Sequence, residues 1–175
     1  METEFVPFGS RPYGALLGLM LFARGMDFLS TWIATPNLLL EANPIAKKLG
    51  WKLGIILNLV IATLFARWPL PAIVIITTSV LVAARNLQSA WLMRSLGESQ
   101  YRSWMAERLA SANIRLYVLC LFGQAALTAS VGLSLMLFCQ SQLVPFAIGL
   151  GIVTYAFAVT VYTLLSVWRL RRQNV

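Results

Sequence analysis

The stretch from Arg24 to Gly50, RGMDFLSTWIATPNLLLEANPIAKKLG, decides how this chain is read. It places Arg24 and Asp27 inside an apolar run and carries Glu41, Asn43 and Pro44 just beyond it. An arginine or aspartate at the centre of a membrane-spanning helix costs about 2.5–3.5 kcal/mol on insertion scales. Such residues persist where they pair, face a bundle interior or line a wet cavity. Arg24, Asp27 and Thr31 are spaced i, i+3, i+7 and share one helical face, with Ser30 at its edge. Either a local Arg24–Asp27 ion pair lets the helix insert, or these groups begin a site within the membrane.

Composition carries the membrane reading to the whole chain. The protein has 175 residues, 59% hydrophobic and 11% charged, with no histidine. Its mean hydropathy is +0.75, and soluble domains carry about 25% charged residues. One integral membrane domain over residues 1–175 is expected. The net charge of +8 belongs to residues flanking apolar runs rather than to a basic polar domain, which excludes nucleic acid as a partner. The lack of histidine removes His-ligated haem, His-based zinc sites and imidazole acid–base catalysis. No metal or cofactor is implied. Cys120 and Cys139 on one helix would stand roughly 28 Å apart, too far for a disulfide. The N-terminal METEFVPFGSRP carries Glu2 and Glu4 before Arg11, whereas a signal peptide begins basic, so the first span is expected to remain.

Five apolar runs predict spans at about 13–35, 51–68, 71–94, 114–138 and 144–168 of an all-α, polytopic transmembrane helix bundle. Gly14 and Gly18 form a GxxxG step in the first, suited to close helix approach. Asn43–Pro44 reads as a helix start and Gly50 as its stop, giving a short interfacial helix at 44–50. Asn58 lies inside the second span, where a lone asparagine makes an interhelical hydrogen bond. Arg85, Asn86, Gln88 and Ser89 concentrate in the second half of the third, with Thr78, Arg85 and Ser89 on one face. Residues 98–113 place Tyr101, Trp104, Met105 and Leu109 at helical spacing among charges, which predicts an amphipathic interfacial helix. Ala126, Ser130 and Ser134 offer a small-residue packing face in the fourth span.

Asp27–Phe28–Leu29–Ser30–Thr31, followed by Glu41–Ala42–Asn43–Pro44, resembles the Asp-x-x-Ser/Thr-Thr … Glu-x-Asn-Pro pattern of a family of small, uncharacterised prokaryotic multi-span membrane proteins. The resemblance covers roughly the first third of the chain. It implies a small polytopic fold of unknown activity, and it groups Asp27, Thr31, Glu41 and Asn43 in one site.

Sorting the basic residues sets an expected topology. Arg24 and Arg85 lie inside spans and Arg11 and Arg67 fall on one side; Lys47, Lys48, Lys52, Arg94, Arg102, Arg108, Arg115, Arg169, Arg171 and Arg172 fall on the other. The positive-inside rule puts the larger group and the C-terminus in the cytoplasm, and the N-terminus outside, of a cell inner membrane. Asp27 and Arg85 then lie roughly 12–14 Å deep and Asn58 about 9 Å, which predicts Arg85 as a counter-ion of Asp27, alone or with Arg24. Arg24, Asp27, Thr31, Glu41, Asn43, Asn58, Arg85 and Asn86 are the candidate ligand-binding residues. Asp27, Thr31, Glu41 and Asn43 are oxygen donors of the kind a hard cation takes. The two arginines point instead to an anionic headgroup or phosphate.

The leading functional reading is a binding or transport protein with a polar, cytoplasm-facing intramembrane site for a small polar or lipid-headgroup ligand. The alternatives are an accessory subunit whose polar residues hold helices together, and a membrane-embedded lipid-modifying enzyme using Asp27 and Glu41 as acid–base groups. Enzymatic activity stays open, and an Asp held beside an arginine makes a poor general base. Membrane lipids are the expected partners, with a second copy or another membrane protein as further candidates.

Overall fold

The computed structural model describes residues 5–172. It contains α1 (Arg11–Ala34), α2 (Pro44–Phe65), α3 (Pro69–Leu96), α4 (Glu98–Ser111), α5 (Ile114–Phe138) and α6 (Leu143–Arg172), with no strand among the described residues. All but α4 are long and apolar enough to cross a membrane. The protein is an all-α, multi-pass membrane bundle, as the apolar runs predict.

Local chemistry starts and stops the helices. Ser10 caps α1 by accepting from the Tyr13 N–H at 3.4 Å, with proline in the first turn. Asn43 caps α2 through the N–H groups of Ile45 at 3.0 Å and Ala46 at 3.5 Å. Gly50 sits at φ 66°, ψ −173° inside α2, so the first turns of that helix are set off from the part that spans. α2 stops at Phe65, short of the expected Trp68. Arg67 N–H turns back to the Leu64 carbonyl, and the Arg67 carbonyl accepts from Val6 N–H at 2.9 Å.

Two kinds of seam hold the bundle. α1 lies along α3, and α3 also packs on α6, which in turn packs on α5. On α1 the buried residues are Tyr13, Met20, Ala23, Ser30 and Ala34, a near-heptad stripe that also contains position 27. On α3 the matching stripe is Ala72, Ser79, Ala83 and Ala90. Small side chains on both helices bring their backbones close and leave room for polar groups between them. The α5–α6 seam is glycine against glycine: a Cβ on Gly132 would stand 2.6 Å from the Gly149 carbonyl oxygen. Gly151 meets α3 in the same way, with Thr77 Cβ 2.7 Å from where its own Cβ would be. By contrast, nothing lies within 4 Å of a Cβ on Gly14 or Gly18, and Ala126, Ser130 and Ser134 face outward. These small residues are not packing faces within the chain.

α4 runs back across one end of the bundle. Gly97, at φ 78° and ψ 154°, joins α3 to α4 with a sharp turn that a side chain would strain. Glu98, Tyr101 and Leu109 are the buried residues of α4.

Candidate functional site

The polar residues of α1 sit between α2 and α3. Arg24 Nε donates to Asn58 Oδ1 on α2. Its Nη1 donates to Asp27 Oδ2 and to Ser79 Oγ on α3, both at 3.0 Å. Asn58 is itself fixed, since its Nδ2 donates to the Gly54 carbonyl at 2.7 Å. One guanidinium thus ties three helices together, using a carboxylate one turn away on its own helix. One turn further on, Asn86 Nδ2 on α3 donates to Ser30 Oγ at 3.3 Å and Thr31 Oγ1 at 3.1 Å. Ser30 Oγ in turn donates to the Asp27 carbonyl at 2.9 Å.

The α1–α2 loop closes over this layer. Glu41 Oε1 accepts from Asn43 N–H at 2.7 Å, and Asn43 caps α2. Trp51 Nε1 donates to the Pro36 carbonyl at 2.9 Å while its ring meets Phe28 edge-on at 5.9 Å. The loop is thereby pinned to both helices, and Glu41 comes near enough to Asp27 for its charge to be felt there. Burial pushes the Glu41 carboxyl above its ordinary value, against the N–H groups of Asn43 and Ala42 and the charge of Lys47. The structure therefore brings together Arg24, Asp27, Asn58, Thr31 and Asn86 as one hydrogen-bonded layer, while Glu41 and Asn43 bond to each other in the loop that leads into α2.

Arg85 does not join them. The expected Asp27–Arg85 ion pair is replaced by Arg24–Asp27, and Arg85 Nη2 donates to Thr163 Oγ1 on α6 at 3.3 Å. The reason is helical phase. Ser79 and Asn86 project toward α1, whereas Thr78 and Arg85 share the adjacent face and meet α6, with Thr78 Oγ1 3.2 Å from the Gly151 carbonyl. Equal depth along two spans does not imply a shared face.

Sequence reasoning missed Glu98. Its carboxylate is buried, 9% exposed. It accepts from Thr35 Oγ1 at 2.8 Å, Asn37 N–H at 2.8 Å, Asn37 Nδ2 at 3.1 Å and Leu39 N–H at 3.0 Å. The loop that carries Glu41 is wound around this side chain, and Leu38 within it takes a left-handed φ of 56°. In sequence Glu98 reads as a charge at the start of an amphipathic helix, spaced i, i+4 to pair with Arg102. Only the Gly97 turn marks it, by allowing α4 to fold beneath the loop.

Arg24 donates through Nε and Nη1 to Asn58, Asp27 and Ser79, while Asp27 Oδ1 accepts no hydrogen bond among the described residues and the Asp27 side chain keeps 17% of its surface exposed. No family model, no curated protein and no solved structure matches this chain.

Proposed function

We propose that this membrane protein binds a small polar molecule or a lipid headgroup at the Asp27–Glu41 site, through a positively charged or hydrogen-bond-donating group of the ligand. The supporting observation is Asp27 Oδ1, which accepts no hydrogen bond among the described residues, in a layer where Arg24 already engages Asn58, Asp27 Oδ2 and Ser79. Two neighbouring carboxylates attract a cation, an amine or a shared proton. The Asp-x-x-Ser-Thr … Glu-x-Asn-Pro resemblance supports treating Asp27, Thr31, Glu41 and Asn43 as one unit. Native mass spectrometry of the purified protein, with lipids and ions retained, tests the reading. A cationic or amine-bearing adduct is expected on the wild type and not on Asp27→Asn or Glu41→Gln. An adduct pattern identical in all three sinks it.

A second reading has its own support: the Arg24 hydrogen bonds to α1, α2 and α3 are what a purely structural clamp needs. Under it Asp27→Asn changes stability and no adduct.

We further infer that the site faces the cytoplasm of an inner membrane and that α4 lies in the interface. Ten basic residues against two favour that orientation. Cysteine labelling in a background lacking Cys120 and Cys139 is expected to find position 141 outside and position 174 inside. Trp104 is expected to be quenched by shallow bilayer probes; a deep Trp104 overturns the interfacial placement.

A further inference from the structure

We propose that Arg85 heads a second site, on the α3–α5–α6 side of the bundle, that binds the phosphate of an anionic molecule. The proposal stands apart from the Asp27–Glu41 reading.

Arg85 lies well inside α3 and has no carboxylate within 4.0 Å among the described residues. The described acids lie elsewhere. Asp27 holds Arg24, Glu41 faces its own loop, Glu98 is enclosed by residues 35–39, and Glu107 lines the outer face of α4 with Ser103 and Trp104. A guanidinium within a span persists by pairing, by facing the bundle interior or a wet cavity, or by reaching the headgroup region. A counter-anion for this one would have to come from outside the described residues.

The surroundings supply donors. Thr163 on α6 holds Nη2 at 3.3 Å. Gln124 on α5 is exposed, and its carboxamide makes no hydrogen bond among the described residues. A guanidinium with hydroxyl and carboxamide donors suits a phosphate oxygen set. Arg85, Gln124, Thr128, Tyr155 and Thr160 border a cavity of about 10 Å³, room for about one water. The phosphate therefore sits at its mouth rather than within it. Thr163 lies about 7–8 Å along the helix axis from the exposed Trp168, a distance an arginine side chain spans by snorkelling. Exposed Arg115 and Arg169 stand at the adjoining ends of α5 and α6 and raise the local positive potential.

The test is thermal melting of the detergent-purified full chain titrated with phosphatidylglycerol, phosphatidylcholine or inorganic phosphate. Phosphatidylglycerol is expected to raise the melting temperature of the wild type. Its apparent affinity is expected to fall about tenfold in Arg85→Gln, less in Arg85→Lys, and to hold in Lys48→Gln, which removes an exposed charge elsewhere. An Arg85-dependent shift with inorganic phosphate as well identifies a free phosphate ligand; a shift with phosphatidylglycerol alone identifies a lipid. Should Arg85→Gln fail to fold, Gln124→Leu at an exposed position is expected to weaken the phosphatidylglycerol response several-fold. The proposal is overturned if phosphatidylcholine acts as strongly as phosphatidylglycerol, if Lys48→Gln weakens binding as much as Arg85→Gln, or if Arg85→Lys and Gln124→Leu both keep wild-type affinity.

Discussion

Arg24 and Arg85 are both carried into spanning helices, and the bundle treats them differently. Arg24 has its counter-ion one turn away and further acceptors on α2 and α3. Arg85 has a threonine on α6 and no carboxylate among the described residues. A charge balanced within its own helix inserts with that helix and then ties its neighbours. A charge with no carboxylate on its own helix depends on what the other helices and the surroundings supply. The first arrangement is a feature of one segment, the second a feature of the assembled bundle and its surroundings.

Breaking the Arg24–Asp27 pair gives the largest expected effect. Asp27→Ala leaves a partly buried guanidinium without its anion and is expected to cost about 3–5 kcal/mol, read as a fall in stability in detergent unfolding. Arg24→Gln combined with Asp27→Asn is expected to recover much of it, because both charges leave together. Asp27→Asn and Arg85→Gln are expected to add within about 0.5 kcal/mol. Strong coupling between positions 27 and 85 would erase the contrast between the two arginines.

That contrast also marks what was legible in the sequence. The Arg24–Asp27 pair, the Asn43 cap and the apolar spans rest on short-range spacing, which the order of residues displays directly. The partner of Arg85 depends on which neighbour covers a given face of α3, and nothing in the spacing of Arg85 names Thr163. Glu98 is a sharper case. Its partners at Thr35, Asn37 and Leu39 are brought to it by the way α3 packs on α1 and by the turn at Gly97. The glycine seam was hidden for the same reason: GxxxG at Gly14 and Gly18 is the more familiar pattern, yet Gly132 and Gly149 make the close crossing.

The next effect in size tests the side of the molecule that holds Arg85. Gly132→Val would drive a side chain into the Gly149 backbone carbonyl, 2.6 Å from the first added carbon. Backbone cannot step aside as a side chain can, so α5 must separate from α6. A loss of about 3 kcal/mol is expected, again by detergent unfolding. An unchanged melting curve would mean that this seam does not hold the bundle.

A smaller, pH-dependent effect separates the two loop-facing glutamates. Burial pushes the Glu98 carboxyl up, but the hydrogen bonds from Asn37, Thr35 and Leu39 outweigh it and hold it below the ordinary value of 4.5. A carboxyl lowered on folding stabilises the fold above its unfolded pKa, and that stabilisation is lost as pH falls through its folded value. Glu41, raised on folding, behaves oppositely: its contribution is present below its unfolded pKa and fades as pH rises through the folded one. Glu98→Gln is therefore expected to cost about 1–3 kcal/mol at neutral pH and to flatten the loss of stability below the ordinary glutamate value of 4.5. Glu41→Gln is expected to leave neutral-pH stability unchanged or slightly higher. The reverse ranking would place the structural anion of the loop at Glu41.

The smallest effect concerns glycines that meet nothing rigid. Gly18 has no atom within 4 Å of an added Cβ, and Gly54 has only the edge of the Phe28 ring at 3.3 Å. Alanine is favoured over glycine inside a helix by about 0.8–1 kcal/mol. Gly18→Ala is expected to keep most of that gain, since the added methyl displaces nothing within the chain. Gly54→Ala is expected to keep less, because Phe28 must shift by a few tenths of an ångström while holding its edge contact with Trp51. The order Gly18→Ala above Gly54→Ala above Gly132→Val in detergent unfolding follows from what each new carbon meets: open space, a movable ring, or a carbonyl. If Gly18→Ala instead lowers stability in a concentration-dependent way, the outer face of α1 is in contact with a second molecule. The GxxxG step would then serve an interface between chains rather than the bundle itself.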